Sequence, residues 1–198
     1  MILVDVFARW FLDRVSDVFL KKKDLSVEQR TQMVHRFLLE VPIFCERLGQ
    51  MIDNALTITH DPSDPKKIEF FRPMIRDLTK DVASLKKRII KKSFTTERGI
   101  GTQSIFQQVR ELEFFFEQKE FPRLSKQITD LVWDVIMANR HVEIQLTIFI
   151  GYIRGKNKHF ITLGRERLPP LKEELEKTSS KSKKIEKTLM QFAKKINE

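Results

Sequence analysis

Cysteine and glycine are scarce in this 198-residue chain, with one and six copies, and each scarcity removes a class of structure. With Cys45 alone there can be no internal disulfide and no cysteine-rich zinc site, so a reducing, intracellular setting is expected, cytoplasmic or nuclear. With so little glycine and 32% charged residues, the many tight turns of a sandwich or barrel are disfavoured, and long helices with short connections are expected. Long apolar runs are missing too. The most apolar window, residues 142–153, falls well short of the roughly 20 residues that a membrane-spanning helix needs. Asp5, Arg9, Asp13 and Arg14 interrupt the apolar N-terminal stretch, so neither an integral membrane segment nor a secretion signal is expected.

What the chain has in abundance is one apolar ladder, stepping alternately by three and four. Ile68, Phe71, Ile75, Leu78, Val82, Leu85 and Ile89 form one run of it, and Leu171, Leu175, Thr178, Ser182, Ile185, Leu189, Phe192 and Ile196 another. That spacing places each set on one stripe of a helix, the seam that packs against other helices. The fold class that follows is all-α: an elongated, mostly antiparallel bundle of four to five main helices with a C-terminal helical extension. Residues 1–168 form the bundle domain in this reading, and residues 169–198 a C-terminal helix, docked or partner-binding.

The pattern places a first helix over residues 2–22, with Val4, Ala8, Phe11, Val15 and Val18 on its seam. Ser26 and Gln29 have the spacing of a capping box that opens a second helix, and Pro42 is expected to kink or split it. Residues 60–65 read as a loop and residues 94–102 as a connector without periodicity. A third helix runs between them to about Lys92. A short fourth helix turns Ile105, Val109, Leu112 and Phe116 inward and breaks at Phe121 and Pro122. A longer helix from Leu124 carries Ile128, Leu131, Val135, Ala138 and Val142, then Leu146, Phe149 and Ile153. From Val142 to Tyr152 every second residue is apolar, so an α+β alternative exists, with a small hairpin around residues 142–163. The longer helical ladder favours helix through Ile153. Pro169 and Pro170 then mark the start of the last helix, whose polar Thr178 and Ser182 weaken its seam; it is expected to dock by its ends, to pair with a partner, or to fray.

The formal net charge of +10 is unevenly placed. Acids and bases balance over residues 1–60, whereas residues 61–100 hold eleven bases against six acids and residues 154–198 thirteen against six. The densest blocks are Lys86, Lys87, Arg88, Lys91 and Lys92, and Arg154, Lys156, Lys158, Arg165 and Arg167. On one face they would attract RNA, DNA or another polyanion by long-range electrostatics and counterion release. Lysines also decorate the solvent faces of helices because lysine forms helices well. Aromatic residues do not interleave with these blocks, which argues against base-stacking readout of sequence.

Two Arg-x4-His spacings occur, Arg30 to His35 and Arg154 to His159. The second, Arg154, Gly155, Lys156, Asn157, Lys158, His159, resembles the signature of HEPN ribonucleases, helical proteins in which arginine and histidine cut RNA, usually across a dimer interface. The resemblance covers six residues and implies that His159 moves a proton while Arg154 holds the scissile phosphate. Gly155 departs from the family, which usually has a polar residue there within a helix. His60 and His141 lack companions at ligand spacing, Glu111, Glu113, Glu117 and Glu120 lack the histidine partner of a diiron bundle, and Gly99 and Gly101 lack the lysine of a phosphate loop. No metal or cofactor is expected.

Three functions remain open on the sequence. The first is a non-enzymatic interaction and assembly protein that meets a protein partner, or a second copy of itself, through helix faces and meets nucleic acid through its basic surface. The second is a HEPN-like ribonuclease or toxin. The third is a peripheral membrane bundle using Phe7, Trp10, Phe11 and Phe19, although Asp5, Asp13 and Asp17 on the opposite face suit anionic lipid poorly.

Overall fold

The Ser26–Gln29 spacing closes as a capping box. The Gln29 N–H donates to Ser26 Oγ at 3.2 Å and the Ser26 N–H to Gln29 Oε1 at 3.0 Å, which satisfies two of the donors that a helix start leaves open. The computed structural model describes residues 25–59, 71–93 and 102–198. Among them are five helices and no strand: α1 (Val27–Thr59), α2 (Arg72–Ser93), α3 (Thr102–Gln118), α4 (Leu124–Arg154) and α5 (His159–Ile196). The protein is an all-α helical bundle. The helix expected over residues 2–22, the loop at 60–65 and the connector after Phe94 lie outside the described residues.

α5 runs antiparallel to both α1 and α4 and holds them together. Along α1 the paired positions climb in one helix as they descend in the other, from His35–Glu186 through Leu38–Ser182 to Asp53–Lys172. Along α4 they do the same, through Asp134–Lys181, His141–Glu174 and Phe149–Phe160. α2 and α3 each pack across α1 and α4. The predicted stripes are buried: Leu78, Val82 and Leu85 on α2, Val109, Leu112 and Phe116 on α3, and Leu171, Leu175, Ile185, Leu189 and Phe192 on α5.

The hairpin alternative is overturned. α4 continues to Arg154 as one helix, with Val142, Leu146, Phe149 and Ile153 buried while Ile144 and Ile148 are 38% and 39% exposed. A strand with one buried face would have put Val142, Ile144, Leu146 and Ile148 on the same side. The residues assigned to the returning strand, from His159 onward, open α5.

Pro42 does not split α1, and the reason is on α5. Proline has no N–H, so the Leu38 carbonyl loses its helical donor four residues on. The fully buried Ser182 donates its hydroxyl to that carbonyl at 2.6 Å. Thr178, the other polar seam residue, satisfies itself on the Glu174 carbonyl at 2.9 Å. The seam expected to be weak at its centre is therefore docked there. Pro169 and Pro170 likewise do not begin a helix; they lie inside α5, which starts at His159. Both are on its solvent side, as are Arg165 and Glu166, so water can take the carbonyls those prolines leave without donors.

The two ends of the α1–α5 pair are fixed differently. Near one, a Cβ at Gly164 would overlap Thr59 Cγ2, so the absent side chain sets how closely α1 approaches α5. At the other, the turn after α3 closes on the end of α5: Phe192 stacks edge-on against Phe116 at 4.6 Å and Phe121 at 6.0 Å, and Lys119 Nζ donates to the Lys195 carbonyl at 2.6 Å.

Two predictions follow from this packing. Ser182→Ala leaves a buried carbonyl unpaired and is expected to cost about 1–3 kcal/mol in denaturant unfolding. In a Pro42→Ala background, where the helix supplies its own N–H, the same substitution should cost markedly less. Cys45 is buried, and burial raises its thiol pKa from 9.0 to about 12. The unfolded thiol therefore ionises first, and the stability this group contributes is present below pH 9 and lost as pH rises toward 12. Cys45→Ala should flatten that segment of the stability curve by up to about 1.4 kcal/mol per pH unit.

Candidate interaction surfaces

Helix α4 ends in a Schellman motif. The Lys156 N–H donates to the Ile153 carbonyl at 3.0 Å and the Asn157 N–H to the Tyr152 carbonyl at 2.9 Å, the two closing bonds of that motif. The left-handed position falls on Lys156, with φ of 53°, while Gly155 beside it has φ of −75°. A glycine would hold φ of 53° at no steric cost, whereas an L side chain there costs roughly 1–2 kcal/mol. Asn157 Oδ1 then accepts the His159 N–H at 3.0 Å as α5 begins.

This short turn gathers the second basic block. Arg154 ends α4, Lys156 and Lys158 form the turn, and Arg165 and Arg167 sit on the first turns of α5; all five are exposed. Arg154 Nη2 donates to the Thr79 hydroxyl of α2 at 3.3 Å. Among the described residues, none of Lys156, Lys158, Arg165 and Arg167 forms a salt bridge. Lys86, Lys87, Arg88, Lys91 and Lys92 fall in the last turns of α2. Lys86 is seven residues past Thr79, the α2 residue that Arg154 meets, about 10 Å along the helix axis.

Of the eight lysines of α5, Lys177, Lys183, Lys184, Lys187 and Lys194 are exposed and form no salt bridge among the described residues, while the other three pair with acids outside the helix. Lys172 pairs with Asp53 at 2.7 Å, Lys181 with Asp134 at 2.6 Å and Lys195 with Glu120 at 3.0 Å. The first Arg-x4-His pair is similarly occupied. Arg30 pairs with Glu111 and donates from Nε to the Leu25 carbonyl, and His35 Nε2 is 3.3 Å from Glu186 Oε1. In the second pair Arg154 and His159 belong to different helices and both face solvent, with the His159 ring 6.2 Å from that of Tyr152. His141 meets Glu174 at 3.2 Å. Among the described residues no cluster of three or more histidine, cysteine or carboxylate side chains could hold a metal, and no helix is long and apolar enough to cross a membrane.

Helix α4 carries a second, apolar surface. On α4, Trp133, Met137, Ile144 and Ile148 are 55%, 43%, 38% and 39% exposed. At 100° per residue they fall within about 60° of arc, a ladder of their own on the face of α4 opposite the buried one. Its signal is in the four-residue steps from Trp133 to Met137 and from Ile144 to Ile148, which the apolar alternation over residues 142–152 obscures. Phe106 of α3 leans on Trp133 with ring centroids 5.7 Å apart.

No protein-family model, curated protein or solved structure is similar to this chain.

Proposed function

We propose that this protein is a non-enzymatic interaction and assembly module: helix faces take a protein partner, and the cationic end of the bundle contacts nucleic acid through its phosphates. The observation that carries the reading is the α4–α5 turn. Its cations are exposed, gathered within one turn and the helix ends it joins, and without carboxylate partners among the described residues, whereas Lys172, Lys181 and Lys195 of α5 are paired. Lys156 adds a specific point. It holds a backbone position where glycine would be less strained, with Gly155 next to it, as when a side chain is kept for what it meets rather than for the turn it makes.

Such contacts position a polyanion without reading its sequence. Phosphate oxygens would displace counterions from Lys156, Lys158 and Arg165, with the last turns of α2 extending the field, and affinity would fall steeply with salt. The ribonuclease reading gains no support from geometry that leaves Arg154 and His159 on separate helices in open solvent.

Titration of generic double-stranded DNA or RNA at several salt concentrations tests this. The Lys156→Glu, Lys158→Glu, Arg165→Glu variant is expected to lower the magnitude of the log–log salt slope by about 2–3, close to 0.9 per lost phosphate contact. An unchanged slope and affinity would retire the reading. Lys156→Gly is expected to separate the two roles of that residue, raising stability by about 1 kcal/mol while weakening binding. RNA cut by the parent and left intact by His159→Ala would support the ribonuclease instead.

A further inference from the structure

We infer that the exposed ladder on α4 is a self-association surface, and that its occupant is α4 of a second copy of this chain, packed antiparallel about a two-fold axis between Arg140 and His141. The inference deepens the interaction reading by naming its protein partner, and it is independent of the nucleic-acid contact.

The spacing selects the occupant. Trp133 and Met137 are separated by four residues, Met137 and Ile144 by seven, and Ile144 and Ile148 by four. That sequence of steps is the same read in either direction. An antiparallel two-fold contact requires such self-complementarity, because each patch then meets its own copy reversed. With the axis at the midpoint, Trp133 of one copy faces Ile148 of the other, and Met137 faces Ile144, so every rung meets an apolar rung. A parallel pairing would set Trp133 against Trp133 and bring unlike rims together, taking Arg140 away from Glu143 of the second copy. An unrelated partner helix would impose no palindrome.

The polar residues agree with this arrangement. Arg140 sits beside the apolar arc, displaced toward the rim that carries Glu143. A two-fold axis in the interface keeps like rims together, so each Arg140 comes within about 3 Å, measured along the axis, of Glu143 on the second copy. The opposite rim holds His141, turned toward Glu174 of its own chain at 3.2 Å.

Size sets the strength. The four exposed side chains offer an apolar patch on the order of 400 Å², near what a monomer usually leaves open. Two such patches with their rims reach only the low end of specific interfaces. The association is therefore weak, on the order of micromolar.

Sedimentation velocity of the full chain, from low to several hundred micromolar, should show a reversible monomer–dimer equilibrium. Met137→Glu with Ile144→Glu should shift it at least a hundredfold toward monomer. Both sites are exposed, and circular dichroism should confirm unchanged helix content. The register is tested by mixing two single variants, Trp133→Cys and Ile148→Cys, with a short bis-maleimide. Cross-linked heterodimer is expected from the mixture and no homodimer from either alone, since Cys45 is buried. A parent that stays monomeric, a dimer that survives the glutamates, or Trp133→Cys linking to itself would each overturn the inference. Salt-dependent DNA binding by the glutamate variant keeps the two readings apart: it should retain the parent's slope in either case.

Discussion

The bundle depends on the meeting of α1 and α5 at Pro42. A proline in a buried stretch of helix removes a donor from a carbonyl that water cannot reach, and an unpaired buried carbonyl is a large fraction of the stability of a domain this size. The Ser182 hydroxyl removes the deficit. Because only one level of α5 can reach the Leu38 carbonyl, the same hydrogen bond fixes register along two helices whose apolar seams alone would tolerate sliding. Thr178 and Ser182 thus stand on the seam for different reasons: Thr178 is satisfied within α5, whereas Ser182 requires α1.

The same logic separates what the sequence revealed from what it concealed. The ladders on α2, α3, α4 and α5, the capping box at Ser26 and the break at Phe121 are local patterns, and local patterns can be read. The three helix-interior prolines could not be read locally. Whether proline ends a helix depends on whether the freed carbonyl finds a donor: for Leu38 it is a serine 144 residues away, and the stretch before Pro169 lies on the solvent side, open to water. The polar centre of α5 looked like weakness for the same reason, since its partner carbonyl is created by a proline elsewhere in the chain. On α4 the difficulty was different. A helix with two apolar ladders contains alternating apolar pairs by necessity, and Val142 to Tyr152 imitates a strand for that reason alone.

Charge was legible in amount and not in availability. Residues 154–198 hold thirteen bases against six acids, which suggests that the whole of α5 is a cationic rod. The fold redistributes that excess. Lys172, Lys181 and Lys195 meet Asp53, Asp134 and Glu120, acids contributed by α1, α4 and the turn after α3. Exposed pairs of this kind add little stability, but they cancel field. Among the described residues, uncompensated cations remain along the exposed side of α5, at Lys177, Lys183, Lys184, Lys187 and Lys194, and at the α4–α5 turn, where no facing helix supplies a carboxylate.

The two ends of the bundle therefore do different work. At the α3–α4 turn, Glu120 takes the left-handed position with φ of 67° and pairs with Lys195, while Phe116, Phe121 and Phe192 close the core behind it. At the α4–α5 turn the same backbone device carries Lys156, whose charge faces solvent. Both turns accept a non-glycine residue in a conformation that glycine would adopt at lower cost. In the first, the side chain reaches a cation of the same chain; in the second, it faces solvent, and the two closing hydrogen bonds of the Schellman motif hold the turn.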